Sequence, residues 1–128
     1  MASILVVDDE RDIVTLIKVI LEKEGHSVTA AYGGLEALAA LGLEPPQAPV
    51  CRPDLALIDL MMPSMDGLSL TKRLAADPST NRIRVVILTA KDRSSEMFGS
   101  IKTVAAVLEK PFDPQTLREA VASAMAKQ

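Results

Sequence analysis

Asp8, Asp9, Asp59, Thr89, Glu109 and Lys110 each stand at the carboxyl end of a short apolar run, and together these side-chain types suit phosphoryl chemistry around a hard cation. Crowded carboxylates repel one another, and the cost is relieved by protonation or by a cation. Oxygen donors without His or Cys partners favour a hard ion, and Mg2+ in particular takes one or two carboxylates, keeps waters and shares phosphate oxygens. A carboxylate can also be the nucleophile that accepts a phosphoryl group as an aspartyl-phosphate. Lys110 and Thr89 would then stabilise the added oxygens. Taken singly, each residue has a plainer reading: Asp8 or Asp9 as a helix cap, Asp59 as a turn former, Thr89 as a strand residue, Lys110 as a solvated charge. Their convergence from four separate strand ends carries the chemical reading.

Whether they converge depends on the elements beneath them. Ile4 to Val7, Val28 to Ala31, Leu55 to Ile58, Val85 to Leu88 and Ala105 to Leu108 are bounded by polar or turn residues, as buried strands are. Between the first two, Ile13, Leu16, Ile17, Ile20 and Leu21 share one helical face, and Gly25 follows as a stop. Segments Gly34 to Leu41, Gly67 to Ala76, Ser94 to Lys102 and Pro114 to Lys127 read as further helices. Pro114 suits a first turn, whereas Gly99 and a thin apolar stripe leave Ser94 to Lys102 the least patterned. Strict βα alternation implies right-handed crossovers and an α/β fold: a parallel sheet with helices on both faces. Ligands of such sheets bind beyond the carboxyl ends of the strands, where these polar residues fall. Gly42 to Pro53, with Pro45, Pro46, Pro49 and Pro53, reads as an extended surface loop, more readily a tolerated insertion than a binding element.

Composition narrows the classes. At 128 residues, 48% apolar and 24% charged, the chain has material for one core. A net charge of -3 and the lack of any long Lys/Arg run argue against direct nucleic-acid binding. No apolar run approaches the roughly 20 residues that span a bilayer, and the start lacks the pattern of an export signal. The expected setting is the cytoplasm, which a single cysteine, Cys51, also fits.

The runs Ile4-Leu5-Val6-Val7-Asp8-Asp9-Glu10, Asp59-Leu60-Met61-Met62-Pro63-Ser64-Met65-Asp66-Gly67, Leu88-Thr89-Ala90 and Lys110-Pro111-Phe112 resemble, in order and spacing, the receiver domain of two-component response regulators. The resemblance extends over essentially the whole chain, as one receiver domain over residues 1–128. It implies a flavodoxin-like sheet of order 2-1-3-4-5, with the Asp8/Asp9 turn and Asp59 flanking the topological switch point. It implies Asp59 as the phosphoacceptor, Asp9 and Asp59 as direct Mg2+ ligands, Asp8 as a ligand through water, and the Met61 backbone carbonyl completing the set. By the same resemblance Thr89 swings its hydroxyl toward the phosphoryl group, Ala90 leaves space for it, and Lys110 pairs with it. Met62, Pro63 and Gly67 shape the loop after the acceptor, and Lys110–Pro111 is expected to be cis. The implied partners are a sensor histidine kinase and a downstream protein or fused effector, making the domain a switch more than an enzyme.

Two positions depart from the family pattern: Val107 stands where an aromatic is common, three before the Lys, and Thr103 where Gly is frequent. Activation without a rotating ring is therefore expected, with the signal leaving through Lys91 to Lys102. The same resemblance implies that Met61 and Lys91 flank the path of an attacking water, and slow self-dephosphorylation is the expectation. Alternatives from other classes are an aspartyl-nucleophile phosphatase of the haloacid dehalogenase type, which would need Asp where Met61 stands, and a phosphorylation-independent docking module, expected to lack part of the pocket. His26 reads as a lone surface side chain, Cys51 as a loop thiol without a basic neighbour, and Arg82, Arg84, Lys91, Arg93 and Lys102 as a solvated basic face.

Overall fold

Alternate residues of a strand face opposite sides of a sheet, so an uninterrupted apolar run needs cover on both. A computed structural model of the chain, which describes residues 2–90 and 101–126, meets that need. Its strands are β1 (Ser3–Val7), β2 (Ser27–Ala31), β3 (Leu55–Asp59), β4 (Arg84–Ala90) and β5 (Val104–Lys110), all parallel in the order β2-β1-β3-β4-β5. This is the expected flavodoxin-like α/β sheet. The described helices are α1 (Arg11–Lys23), α2 (Gly34–Ala40), α3 (Gly67–Ala76) and α4 (Pro114–Ala126).

Leu5, Val7, Ala56, Ile58, Val85 and Ile87 turn to one side, against Leu38 of α2 and Leu70 and Leu74 of α3. Ile4, Val6, Leu55, Leu57, Val86 and Leu88 turn to the other, against Ile17 and Leu21 of α1 and Leu117 and Val121 of α4. Full burial of each such Leu or Ile contributes roughly 1.5–3 kcal/mol, so the central strands are the most firmly held part of the domain. Helix α1 ends as expected: Gly25 adopts φ 90°, its amide donates to the Glu22 carbonyl, and the next amide, of His26, donates to Leu21. Asp66 caps α3 by accepting the Ser69 amide at 2.7 Å, and Asp113 accepts the Thr116 amide at 2.7 Å just before Pro114 opens α4.

The described structure differs from expectation in three places. The Gly42 to Pro53 segment is non-helical and mostly exposed, as expected, but it is not extended throughout. Its first half folds into a tight turn closed by a Leu43–Pro46 bridge, with Glu44–Pro45 cis, and Leu43 and Pro53 are buried. Leu41 and Leu43 join the core beside α2, and their burial anchors a segment whose prolines alone predicted extension. Next, β4 and β5 run two residues further than their apolar cores, carrying Thr89, Ala90, Glu109 and Lys110 within the ladder itself. Finally, His26 is half-buried, and its Nδ1 accepts the Ala2 amide at 3.1 Å, which ties the starts of β1 and β2 together. The helix expected over Ser94 to Lys102 falls almost wholly outside the described residues; Lys102 lies in a turn leading to β5. No helix among the described residues is long and apolar enough to cross a membrane.

Candidate functional site

Four strand ends meet at the carboxyl edge of the sheet. The ladder pairs Val7 with Ile58, Asp59 with Leu88, Thr89 with Glu109 and Ala90 with Lys110, so Asp8, Asp59, Thr89 and Lys110 leave neighbouring strands at similar height. Asp8 is fully buried, while Asp59 and Thr89 are 4% and 3% exposed. Three carboxylates, Asp8, Glu10 and Asp59, each place an oxygen within 4.8 Å of the other two. The Lys110 ammonium sits among them, 2.8 Å from Asp8 Oδ2, 3.1 Å from Glu10 Oε1 and 3.3 Å from Asp59 Oδ1. The Lys110–Pro111 peptide that follows is cis, as expected.

One ammonium faces three acidic groups. Burial pushes the Asp59 carboxyl up to about 6, the neighbouring Asp8 charge adds to the rise, and Lys110 and the Met61 backbone amide oppose it. Burial of Lys110 works against its charge, but the Asp8 hydrogen bond and the Asp59 and Asp8 charges outweigh that and raise its pKa. The all-oxygen, under-neutralised donor set is what a hard divalent cation requires, and the residues present fit Mg2+.

The backbone builds this edge by local rules. Asp8 Oδ1 accepts the Glu10 amide at 2.9 Å, fixing the first acidic side chain at the mouth of α1. After β3, the Leu60 amide donates to Leu88 and the chain returns so that the Gly67 amide donates to the Leu60 carbonyl at 2.8 Å. A Cβ at Gly67 would lie 2.2 Å from the Asp59 carbonyl oxygen, so glycine is the residue that lets α3 begin against the acceptor strand. Between them Ser64 takes φ 72°, a left-handed conformation that its sequence position did not signal.

Of the residues singled out from sequence, Asp8, Asp59 and Lys110 are brought into direct contact, and Thr89 and Ala90 stand beside them on β4. The Thr89 hydroxyl donates to its neighbour, the Ala90 carbonyl, at 3.3 Å. Asp9 is exposed and lies outside the carboxylate group, and Glu109 is exposed as well. Met61 contributes its amide to Asp59 while its side chain is 57% exposed. Val107 is half-buried against the Ile58 and Ile87 side of the core. Lys91 lies outside the described residues. Glu10 is the member that sequence reasoning missed; the available signal was its place directly after the Asp pair, at the cap of α1. Cys51 packs against the core, and its burial raises the thiol pKa, the opposite of what a reactive cysteine needs.

Comparison with known proteins agrees with this geometry. A profile of the response regulator receiver domain matches residues 4–122. Protein PilH of Pseudomonas aeruginosa is 33% identical over 127 residues, covering 98% of this chain and 99% of that protein. Sporulation initiation phosphotransferase F of Bacillus subtilis is 37% identical, covering 93% of this chain and 90% of that protein. The structure of the chemotaxis protein CheY4 of Vibrio cholerae superimposes with a TM-score of 0.83 at 27% identity, covering 97% of this chain and 98% of that one. With its acidic pocket at the switch point of a 2-1-3-4-5 sheet, the chain belongs to the response regulator receiver domain family.

Proposed function

We propose that the chain, as one receiver unit over residues 1–128, takes a phosphoryl group onto Asp59 from the phosphohistidine of a sensor histidine kinase in the cytoplasm. The resulting acyl phosphate biases a two-state domain toward a form that a downstream protein or fused effector recognises. The observation that carries this reading is the placement of Asp59 on the central strand, 3.3 Å from Lys110 and crowded by Asp8. Asp8, Asp59 and the Met61 carbonyl, together with Asp9 turned in from its exposed position, are the groups that would hold Mg2+, which when bound neutralises charge on the transferring phosphoryl oxygens.

The chain's own residues perform the rest. An Asp59 carboxylate oxygen attacks phosphorus, and the nitrogen–phosphorus bond of the donor breaks with its electron pair returning to the imidazole. Lys110, already poised against Asp59, pairs with the added oxygens. The Thr89 hydroxyl exchanges its long bond to the Ala90 carbonyl for a phosphoryl oxygen, and the small Ala90 side chain leaves room for that movement. Because Val107 has no ring to rotate, the change is transmitted through the segment from Lys91 to Lys102.

Incubation with acetyl phosphate tests the reading. Mg2+-dependent formation of a stoichiometric, hydroxylamine-labile adduct is expected, abolished by EDTA and by Asp59→Asn. Undiminished labelling of Asp59→Asn would reject Asp59 as the acceptor.

A further inference from the structure

The shortest Lys110 contacts are not with Asp59. The ammonium lies 2.8 Å from Asp8 and 3.1 Å from Glu10, against 3.3 Å from Asp59, and the Glu10 side chain is 62% exposed where that of Asp59 is 6% exposed. Glu10 thus stands at the outer side of the cage, and its backbone amide simultaneously holds Asp8 at 2.9 Å. A divalent cation among the inner carboxylates repels an ammonium lying about 3 Å from two of them, since the same oxygens cannot serve both charges at close range. Lys110 must then move outward, and the carboxylate waiting there is Glu10.

Resting on the Mg2+ reading above, we propose that Glu10 is a positioning residue: it holds the Lys110 ammonium when metal displaces it from Asp8 and Asp59. Glu10 stays paired during that exchange, so Lys110 keeps a counter-charge and remains within reach of the pocket. Without Glu10, the ammonium is expelled toward solvent with no carboxylate to receive it, and metal binding becomes less favourable. The pair is partly exposed, so its effect falls in the range of exposed ion pairs.

A double-mutant cycle on Mg2+ affinity, measured by calorimetric titration of the full chain, separates this role from the alternatives. Glu10→Gln is expected to weaken Mg2+ binding about three- to fivefold when Lys110 is present. In a Lys110→Met background the same substitution is expected to change affinity by less than about 1.5-fold, because no ammonium needs a place to go. Lys110→Gln serves as a second background, and circular dichroism confirms folding of each variant. An equal loss in both backgrounds would overturn the proposal by making Glu10 a ligand or a plain source of field. No loss in either would overturn it as well. Absence of Mg2+ binding by the unaltered protein would instead remove the metal reading beneath it.

Discussion

Replacing Asp59 by Asn should stabilise the metal-free protein, even though it removes a residue at the centre of the site. Asp59 is 4% exposed, and burial together with the Asp8 charge raises its carboxyl from 3.8 to about 6. The folded chain therefore holds this proton more tightly than the unfolded chain, and ionising Asp59 costs folding free energy. The stability associated with the protonated group is fully present below about 3.8 and is lost as pH rises through about 6. A gap of about two pH units at about 1.4 kcal/mol each gives an upper value of about 3 kcal/mol. Screening where the pocket opens to solvent reduces this to about 2 kcal/mol. Asn carries no such cost, and Lys110 retains Asp8 and Glu10 as partners. In EDTA at neutral pH, Asp59→Asn should therefore unfold about 5–10 °C above the unaltered protein, the difference shrinking to nothing near pH 4. Added Mg2+ should close the gap from the other side by stabilising the unaltered protein more than the variant. Thermal melts followed by circular dichroism across this pH range, in EDTA and in Mg2+, measure both effects. A variant no more stable than the parent at neutral pH, or a difference that does not change with pH, would refute the electrostatic reasoning.

Other substitutions probe the supports of the site. Asp66→Ala removes the cap that accepts the Ser69 amide and should cost about 1 kcal/mol in urea melts at neutral pH. Because the Ser69 amide bond holds the Asp66 carboxyl below its usual range, that loss should fade as pH falls through the carboxylate range. Gly67→Ala forces a methyl group into the Asp59 carbonyl and should cost more than about 2 kcal/mol while also lowering the labelling rate, seen by thermal melts and adduct kinetics together. Met61→Asn replaces an exposed apolar side chain two residues past the acceptor with one that can hold water, and should shorten the lifetime of the acyl phosphate. An unchanged or longer lifetime would show that Met61 does not gate water.

Periodicity made the strands and helices legible, and the resemblance to receiver domains supplied the strand order and the roles of the site residues. Ile4 to Val7 and Leu55 to Ile58 are apolar at every position, and their short length between polar residues suits a strand covered on both faces. Once strand order was implied, Asp8, Asp59, Thr89 and Lys110 had to share an edge. The turn in the first half of Gly42 to Pro53 was not legible, because proline content signals non-helical backbone but says nothing about whether the chain extends or turns. The decision came from Leu41 and Leu43, whose burial pulls the turn onto α2. Glu10 was missed because its distance to Lys110, 100 residues away in sequence, is set by how α1 leaves β1 and how β5 ends. His26 had no partner visible in sequence, since the amide it receives belongs to Ala2 across the β1–β2 pair.

The proposed switch turns on conversion of the Asp59 carboxylate to an acyl phosphate. Borohydride reduction after incubation with acetyl phosphate and Mg2+ converts a phosphorylated aspartate to homoserine, and peptide sequencing by mass spectrometry then locates the change. Conversion is expected at residue 59 alone, dependent on both phosphodonor and Mg2+. Conversion at Asp8, Asp9 or Glu10 in place of Asp59, or none at any of them, would contradict the proposal.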